Sequence, residues 1–293
     1  MESFIKKFKI EEGKDFSLKK LDPSYTGEYR KDGSKELLAS YKEQLSSLQD
    51  KFYAEHSHSL LVLFQALDAA GKDSAIKHVM SGVNPQGCQV FSFKQPSSED
   101  LEHDFLRRHY KALPEKGRIG IHNRSHYENV LVCKVHPELV LKENLPGHTS
   151  LNKINKSFWD SRYKSINHFE KHLNDNGTVV LKFFLHLSKE KQKERFLKRI
   201  DDKKKNWKFS AGDIAERAYW NDYMNAYEDA ILNTSTENAP WFVIPADNKW
   251  FTRLAVISII TETLDSLSPQ YPVLPDSASS HLQEYKSLLN AER

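Results

Sequence analysis

The chain alternates two kinds of hydrophobic pattern from Ser59 onward. Short, continuous apolar runs such as SLLVLFQA are typical of strands buried on both faces, whereas the residues behind this run, Ala75, Ile76, Val79 and Met80, keep helical spacing. The other strand candidates are CQVFSF, RIGIH, TVVLKFFLHL and WFVIPA, and the helices between them lie around 98–111, 126–141, 157–175, 188–200 and 251–266. This alternation predicts an α/β fold with a parallel sheet between helices, whose ligand site lies at the carboxyl ends of the strands.

The N-terminal region is charged and carries helically spaced apolar residues, namely Leu37, Leu38, Tyr41, Leu45 and Leu48. This spacing predicts an amphipathic helix packed on the main body. No repeat or long Gly/Ser linker interrupts the rest of the chain. We therefore expect an N-terminal helical extension over 1–55, one main domain over 56–270 and a C-terminal tail or helix over 271–293.

Composition narrows the class of protein. With 39% hydrophobic and 28% charged residues, the chain is expected to fold as a soluble globular protein. Its 43 basic and 40 acidic residues leave a net charge of +3, so any basic site is local and a nucleic-acid partner is not expected. The longest apolar stretches are far short of the roughly 18 residues of a membrane-spanning helix. Cys88 and Cys133 lie in apolar runs and are expected to be buried free thiols, which favours a reduced, cytoplasmic protein without membrane attachment.

A degenerate phosphate-binding loop follows the first strand. The segment ALDAAGKDS keeps Gly71 and Lys72 at the spacing of the template G-x-x-x-x-G-K-[ST], but Ala66 replaces the first glycine and Asp73 the hydroxyl residue. A loop between a buried strand and a helix offers backbone N–H groups and the positive end of the helix dipole to an anion, and Lys72 adds a charge. The alternative is an ordinary strand-to-helix turn with Asp73 or Ser74 near an N-cap.

Asp68 lies inside this loop and favours the functional interpretation. A carboxylate there would repel phosphate unless a Mg²⁺ ion lies between them. Asp68 is therefore a candidate metal-site residue.

The third predicted strand, RIGIH, leads into Asn123, where a P-loop nucleotide site normally has its Walker B carboxylate. Arg124 follows as a fixed cation suited to a phosphoryl oxygen, and Glu128 lies about one turn further along. In the alternative interpretation, Ser125 caps the next helix and Glu128 completes a capping box three residues later. The two interpretations are compatible.

A basic segment follows the fourth predicted strand and its helix. Residues 198–208 contain six basic and two acidic residues among eleven. Such a run is often a solvated face, but P-loop kinases of small molecules carry at this position a mobile lid that closes over the transferring phosphate. We therefore predict a lid over about 198–233.

These segments together resemble the second polyphosphate kinase family, P-loop phosphotransferases that move a terminal phosphate between inorganic polyphosphate and nucleotides. The resemblance covers about 15–270 and implies a three-layer, thymidylate-kinase-like P-loop kinase fold with a helical lid. The segments that carry it are FQALDAAGKDSAIKHV, FKQPSSEDLEHDFLRRHY, IGIHNRSHYENVLVCKVHPE, FWDSRYKSINHFEKHL, KRIDDKKKNWKFSAGD, YWNDYMNAYEDAI and WFVIPADNKWFTRL.

The resemblance also implies roles for matching positions. The family's Walker B motif often reads Asp-Arg-Ser and then Trp-Tyr-Asn, and the variant NRSHYE found here resembles the subgroup that phosphorylates both nucleoside mono- and diphosphates. Because an amide is a poor Mg²⁺ ligand, Asn123 shifts metal binding toward Asp68 and toward Glu128 or Asp73. The implied catalytic residues are Asp68, Lys72, Arg124, Glu128 and Arg199, and the implied metal ligands are Asp68 and Glu128.

Phosphate and polyphosphate contacts are assigned in the same way. The expected phosphate-binding residues are Ala69, Ala70, Gly71, Lys72, Asp73, Ser74, Lys77 and Arg118, and Lys94, Arg107 and Arg108 are further candidates for a polyphosphate channel. The expected lid residues are Arg199, Lys203, Lys204, Lys205 and Lys208.

The implied reaction is the reversible, Mg²⁺-dependent transfer of the terminal phosphate of polyphosphate to AMP and ADP, with Mn²⁺ as a substitute metal. ATP and guanine nucleotides are further expected partners, and a homo-oligomer is expected. The alternatives are an ATP-dependent nucleoside monophosphate kinase of the thymidylate-kinase type and a noncatalytic nucleotide- or polyphosphate-binding protein. A zinc site is weakly supported, because the paired histidines lack an accompanying carboxylate-histidine spacing.

Overall fold

A computed structural model describes residues 3–13 and 16–292, apart from the side chains of Lys208, Asp276, Ser277 and Ser280. Its strands are β1 (Lys9–Ile10), β2 (Ser59–Gln65), β3 (Cys88–Ser92), β4 (Ile119–Asn123), β5 (Thr178–His186) and β6 (Trp241–Pro245). Its helices are α1 (Phe4–Phe8), α2 (Ser34–Glu55), α3 (Lys72–Val79), α4 (Ser98–Leu101), α5 (Arg107–Tyr110), α6 (Val132–Val135), α7 (Glu138–Leu141), α8 (Lys156–Asp175), α9 (Lys189–Asp201), α10 (Ala211–Ala218), α11 (Trp220–Thr234), α12 (Lys249–Ser266) and α13 (Asp276–Ala291).

The strands form one sheet in the order β1-β6-β5-β2-β4-β3. Strands β2 to β6 are parallel, whereas β1 pairs antiparallel with the edge of β6. Phe64 of β2 lies opposite Asn123 of β4, so the carboxyl ends of these neighbouring strands meet at one edge of the sheet. The five predicted strands are confirmed. The two-residue β1 was not predicted, because it is too short to show a hydrophobic period.

Each face of the sheet has its own hydrophobic core, and β2 contributes to both. Leu60, Val62 and Phe64 pack on one side with residues of α2, α3 and α12, while Leu61 and Leu63 pack on the other with residues of α8 and α11. All seven residues of β2 are buried, as the continuous apolar run predicts. The sheet therefore lies between two helical layers.

The N-terminal amphipathic helix is confirmed as α2, whose Leu45 and Phe52 enter the first core. The two long helices predicted around 98–111 and 126–141 are wrong, because both segments are broken into short pieces. In the first, the side chain of Asp104 accepts a hydrogen bond from the Leu106 N–H and forms a turn between α4 and α5. In the second, Pro137 follows α6 and has no N–H with which to continue that helix.

The two cysteines are free thiols. Cys133 is buried and Cys88 is half-buried, and burial raises the pKa of Cys88 to about 11 and that of Cys133 to about 12. Both thiols are therefore protonated and unreactive at neutral pH. Across residues 3–13 and 16–292, no helix has the length and apolarity needed to cross a membrane.

Candidate active site

The predicted phosphate-binding loop connects β2 to α3 at the carboxyl edge of the sheet. Gly71 is the N-cap of α3 and has a φ of +104°, a value that favours glycine and explains why this template position is kept. Asp73 and Ser74 lie in the first turn of α3, where the Asp73 side chain accepts a hydrogen bond from Asn123 and the Ser74 hydroxyl accepts one from Arg253. Neither side chain caps the helix, so its first turn is available to an anion.

Lys72 folds back over this loop. Its Nζ donates a hydrogen bond to the Ala66 carbonyl at 2.6 Å, at the position of the missing first glycine. Burial lowers the pKa of Lys72, while the carboxylates of Asp68, Glu128 and Asp73 favour its charged form. A desolvated ammonium in the electrostatic field of three carboxylates is placed to neutralise phosphate oxygens.

The end of β4 meets the loop through two polar contacts. The Asn123 Nδ2 donates to Asp73 Oδ1 at 2.7 Å and to Ser92 Oγ at 3.3 Å. The Arg124 Nη2 lies 3.5 Å from Asp68 Oδ1, and Arg124 has a φ of +65°, which is uncommon outside glycine. In this structure Asn123 therefore ties β4 to the loop as a donor, a contact that an aspartate at this position would replace with repulsion.

Glu128 lies in a 3-10 helix over His126–Asn129 rather than in an α-helix. The Ser125 hydroxyl accepts a hydrogen bond from the Tyr127 N–H, so Ser125 is an N-cap as predicted, but it does not form the predicted capping box with Glu128. Burial raises the pKa of the Glu128 carboxyl, and Arg124 and Lys72 act in the opposite direction. The carboxylate thus belongs to the same electrostatic cluster as Asp68, Lys72 and Arg124.

A buried ionic network connects this 3-10 helix to the protein interior. The Lys182 Nζ donates to Glu170 Oε2 at 2.6 Å and to the Tyr127 hydroxyl at 2.9 Å. The other oxygen of Glu170 accepts from the Tyr127 hydroxyl at 2.8 Å and lies 3.2 Å from His126 Nε2. His126 and Tyr127 therefore point into the protein, whereas Arg124, Glu128 and Asn129 line the adjacent cavity.

That cavity has a volume of about 480 Å³, within the range of small-molecule sites. Asp68, Arg124 and Glu128 lie at its phosphate-loop end, and residues of α10 and α11 also line it. Its apolar and aromatic lining includes Leu101, Phe105, Val132, Leu139 and Trp220. The cavity therefore offers an apolar surface for a ring and a charged end for phosphate.

A second, cationic surface adjoins the other side of the loop, where α12 begins. Arg253 donates to the Ser74 hydroxyl at 2.9 Å. Burial and the neighbouring cations Arg195, Arg253, Lys205 and Arg199 lower the pKa of Lys249. A bound anion would relieve this mutual repulsion of the cations. Sequence reasoning missed Lys249 and Arg253, although both lie soon after a predicted strand end.

The predicted lid residues differ in their distance from the phosphate loop. Arg199 contacts Asp213 at 3.4 Å, and both lie beside the loop cluster, since Asp68 and Arg124 also influence the pKa of Asp213. Lys205 pairs with Asp202, and Lys203 and Lys204 are exposed. The Lys208 side chain lies outside the described part of the chain.

Several predicted phosphate contacts lie elsewhere. Arg118 precedes β4 and pairs with Glu115 at the amino end of the sheet, opposite the loop, so it does not belong to the phosphate site. Lys77 is exposed in the last turn of α3. Arg107 pairs with Glu99, whereas Lys94 and Arg108 line the cavity rather than the cationic surface.

The carboxylates of Asp68 and Glu128 suit a divalent metal that also binds substrate phosphates. Within the described ranges, no group of three or more His, Cys, Asp or Glu residues could hold a metal ion by itself. Asp68 and Glu128 nevertheless present oxygen ligands at the phosphate end of the cavity. One or two carboxylates completed by substrate phosphates and water is the environment that Mg²⁺ prefers.

Comparisons with known proteins agree with this geometry. The family model described as Polyphosphate kinase 2 matches residues 28–272. An ADP-polyphosphate phosphotransferase from Rhodopseudomonas palustris is 49% identical over 288 residues, which cover 97% of this chain and 98% of the relative. An AMP/ADP-polyphosphate phosphotransferase from Meiothermus ruber is 42% identical over 280 residues, 95% of this chain and 99% of the relative. The crystal structure of a polyphosphate kinase 2 from Arthrobacter aurescens superimposes with a TM-score of 0.87 at 38% identity over 97% of each chain.

Proposed function

The chain belongs to the polyphosphate kinase 2 family, and we propose that it transfers the terminal phosphate of inorganic polyphosphate reversibly to both AMP and ADP. It has the P-loop kinase fold of that family and is a phosphotransferase. The choice of both acceptors rests on the Glu128 carboxylate at the phosphate end of the cavity and on the relative from Meiothermus ruber, whose name includes both.

The observation that carries the proposal is the placement of two unlike surfaces on either side of one phosphate loop. The cavity beside Asp68 and Arg124 suits a nucleotide, because it combines apolar walls with a charged end. The cationic surface of Lys249, Arg253 and their neighbours suits polyphosphate, which carries about one negative charge per internal unit. The loop itself, with Lys72, lies where the transferred phosphoryl group would pass.

The protein's contribution to the reaction is positioning and charge neutralisation. An oxygen of the acceptor phosphate attacks the terminal phosphorus of polyphosphate, and the bond from that phosphorus to the bridging oxygen breaks. Lys72 and Arg124 stabilise the charge on the transferred group, and Arg199 reaches it when the lid closes. Asp68 and Glu128 would hold Mg²⁺, or Mn²⁺ in its place, which neutralises phosphate charge when bound.

We extend the proposal to the organisation of the molecule. The segment over 198–233 acts as the lid on a domain over 56–270, with 1–55 as an N-terminal helical extension and 271–293 as a C-terminal tail or helix. Free, protonated thiols and nucleotide substrates favour the cytoplasm as the site of action. Guanine nucleotides are additional candidate acceptors, and we expect a homo-oligomer.

The test is to incubate purified protein with Mg²⁺ and polyphosphate together with AMP or ADP, and to resolve the nucleotides by chromatography. Formation of ADP from AMP and of ATP from ADP is expected. AMP phosphorylation with ATP but not with polyphosphate would instead identify a nucleotide kinase of the thymidylate-kinase type. No turnover with either donor would leave a binding protein.

A further inference from the structure

Two side chains of helix α9 donate hydrogen bonds to three consecutive backbone carbonyl groups of the phosphate loop. The Gln192 Nε2 donates to the Asp68 carbonyl at 3.0 Å, and the Arg195 Nη1 donates to the carbonyls of Ala69 at 3.0 Å and Ala70 at 2.8 Å. Both side chains are buried, with 3% of Gln192 and 9% of Arg195 exposed. Neither side chain is therefore solvated at the outer surface, although Gln192 also lines the cavity.

Arg195 also joins the loop to the neighbouring strand end. Its Nη2 donates to the carbonyls of Ala246 at 2.6 Å and Asp247 at 3.0 Å, directly after β6. One guanidinium thus satisfies four backbone acceptors at the edge where the substrates are expected to bind. Its planar fork of donors makes this possible, and a lysine cannot reproduce the arrangement.

These contacts fix how the loop presents its N–H groups. Within one peptide group the C=O and the N–H point in opposite directions. Because the Ala70 carbonyl points to Arg195, the N–H of Gly71 points away from α9, toward the other side of the loop. Ala69 has a φ of +61°, a conformation that a non-glycine residue keeps only where its surroundings determine it, and Arg195 supplies that constraint.

The same helix leads directly into the basic segment. Arg199 lies one turn after Arg195 and contacts Asp213 of α10. From α10, the Arg217 Nη1 donates to the Gln192 Oε1 and to the Lys189 carbonyl, both at 2.8 Å. A displacement of α10 therefore reaches the Asp68 carbonyl through a single side chain, Gln192.

We propose that Gln192 and Arg195 are positioning residues, which hold the phosphate loop in its phosphate-binding conformation and couple it to the lid. Neither residue has to touch a substrate for this role. The proposal rests on the proposed phosphotransfer at this loop, and it adds the element that keeps the loop in shape while the lid moves.

The variants are chosen so that they fold. Deleting the Arg195 side chain would leave four buried carbonyl oxygens without a donor, so we use Arg195→Lys, which keeps the charge. Gln192→Glu keeps the size and the acceptor for Arg217, but it removes the donor to Asp68 and adds a negative charge beside the loop, so its kcat is interpreted together with the loop exchange. Lys193→Gln changes one charge at an exposed position on the same helix and is the matched control.

The experiment combines steady-state kinetics, thermal unfolding and amide hydrogen exchange of residues 68–73. For Arg195→Lys and Gln192→Glu we expect kcat to fall at least tenfold and loop amides to exchange at least tenfold faster, at a temperature where all variants are folded. For Arg195→Lys the KM for ADP should change less than threefold, because Arg195 does not line the cavity, whereas Gln192 does and its variant is judged by kcat and loop exchange alone. Lys193→Gln should match the wild type in each measurement.

The outcomes separate this proposal from the proposed function. If both variants keep kcat within twofold and their loop amides exchange as in the wild type, the positioning role is wrong. A loss of kcat that appears only as the variants begin to unfold would likewise assign them a structural role alone. A wild type that is inactive with polyphosphate would overturn the proposed function. Faster loop exchange in the variants would still support the positioning role of Gln192 and Arg195.

Discussion

At the scale of single residues, Lys72 supplies charge rather than packing, because its Nζ reaches only across the loop to a carbonyl. Lys72→Ala is expected to lower kcat by about 10²–10³-fold, as removal of one preorganised electrostatic group does elsewhere, and to leave the unfolding temperature nearly unchanged. Steady-state kinetics with polyphosphate and ADP measure this. Lys77→Ala, an exposed position on the same helix, is the control. Activity within a few-fold of wild type would remove Lys72 from the site.

Glu128 is the residue that we propose allows the site to phosphorylate AMP as well as ADP. A monophosphate places its acceptor oxygen one phosphate unit further from the donor than a diphosphate does, so a site for both needs a metal or water contact across that gap. Glu128→Asn shortens the side chain by one methylene and removes its charge, and the lost contact should cost about 2–4 kcal/mol. We expect AMP phosphorylation to fall at least tenfold while ADP phosphorylation is largely retained. Parallel kinetics decide this, since an equal loss for both acceptors indicates general catalysis.

The pH dependence of AMP phosphorylation follows from the same residue. Burial raises the pKa of the Glu128 carboxyl, so its proton is bound at a higher pH than by an exposed glutamate. As the pH falls, AMP phosphorylation should therefore decline before ADP phosphorylation does. Activity profiles with each acceptor test the order of the two declines. Profiles that superimpose would mean that ionised Glu128 serves neither acceptor selectively.

At the scale of secondary-structure elements, the lid provides a prediction about motion. Arg199 contacts Asp213 in this structure, and lid closure would transfer it to substrate phosphate. Arg199→Gln should lower kcat at least tenfold and change the free energy of unfolding by less than about 1 kcal/mol. As an independent check, a protease should cut the 198–208 segment readily in the free protein and slowly with nucleotide and polyphosphate bound. Equal cutting in both states would indicate a solvated face.

The elements also show how far sequence reasoning reaches. Strands β2 to β6 were predictable because buried strands have continuous apolar runs, and Asp68, Lys72, Arg124 and Glu128 were predictable because parallel strand ends meet at one edge. Side chains that act from another element were not predictable, and Arg195 is the clearest example. Its partners lie 125 and 51 residues away, so no local pattern records them. Arg118 was misplaced because it precedes its strand rather than follows it.

At the scale of the whole molecule, Glu170 and Lys182 join α8, β5 and the 3-10 helix in the buried core. Burial lowers the pKa of Lys182, whereas the neighbouring Glu170 carboxylate opposes this shift. Lys182 in turn helps to hold the pKa of Glu170 below its usual value. Glu170→Gln should lower the free energy of unfolding by about 3–5 kcal/mol, because it leaves a buried charge unpaired. Urea unfolding measures this. The double variant Glu170→Leu, Lys182→Met should recover part of this stability, and failure to recover any would mean that the hydrogen bonds lost by the Tyr127 hydroxyl and the Thr234 carbonyl, rather than the unpaired charge, dominate.

The distribution of charge over the whole molecule gives the last prediction. A net charge of +3 on 293 residues cannot attract a polyanion by itself, so the attraction must come from the local surface of Lys249 and Arg253. Lys249→Gln and Arg253→Gln should each raise the KM for polyphosphate about tenfold and leave the KM for ADP nearly unchanged. Each phosphate neutralised contributes roughly 0.7–0.9 to the slope of log affinity against log salt, so each variant should flatten that slope by about this amount. Lys171→Gln, on an exposed part of α8, is the control. If all slopes are equal, polyphosphate binds elsewhere on the protein.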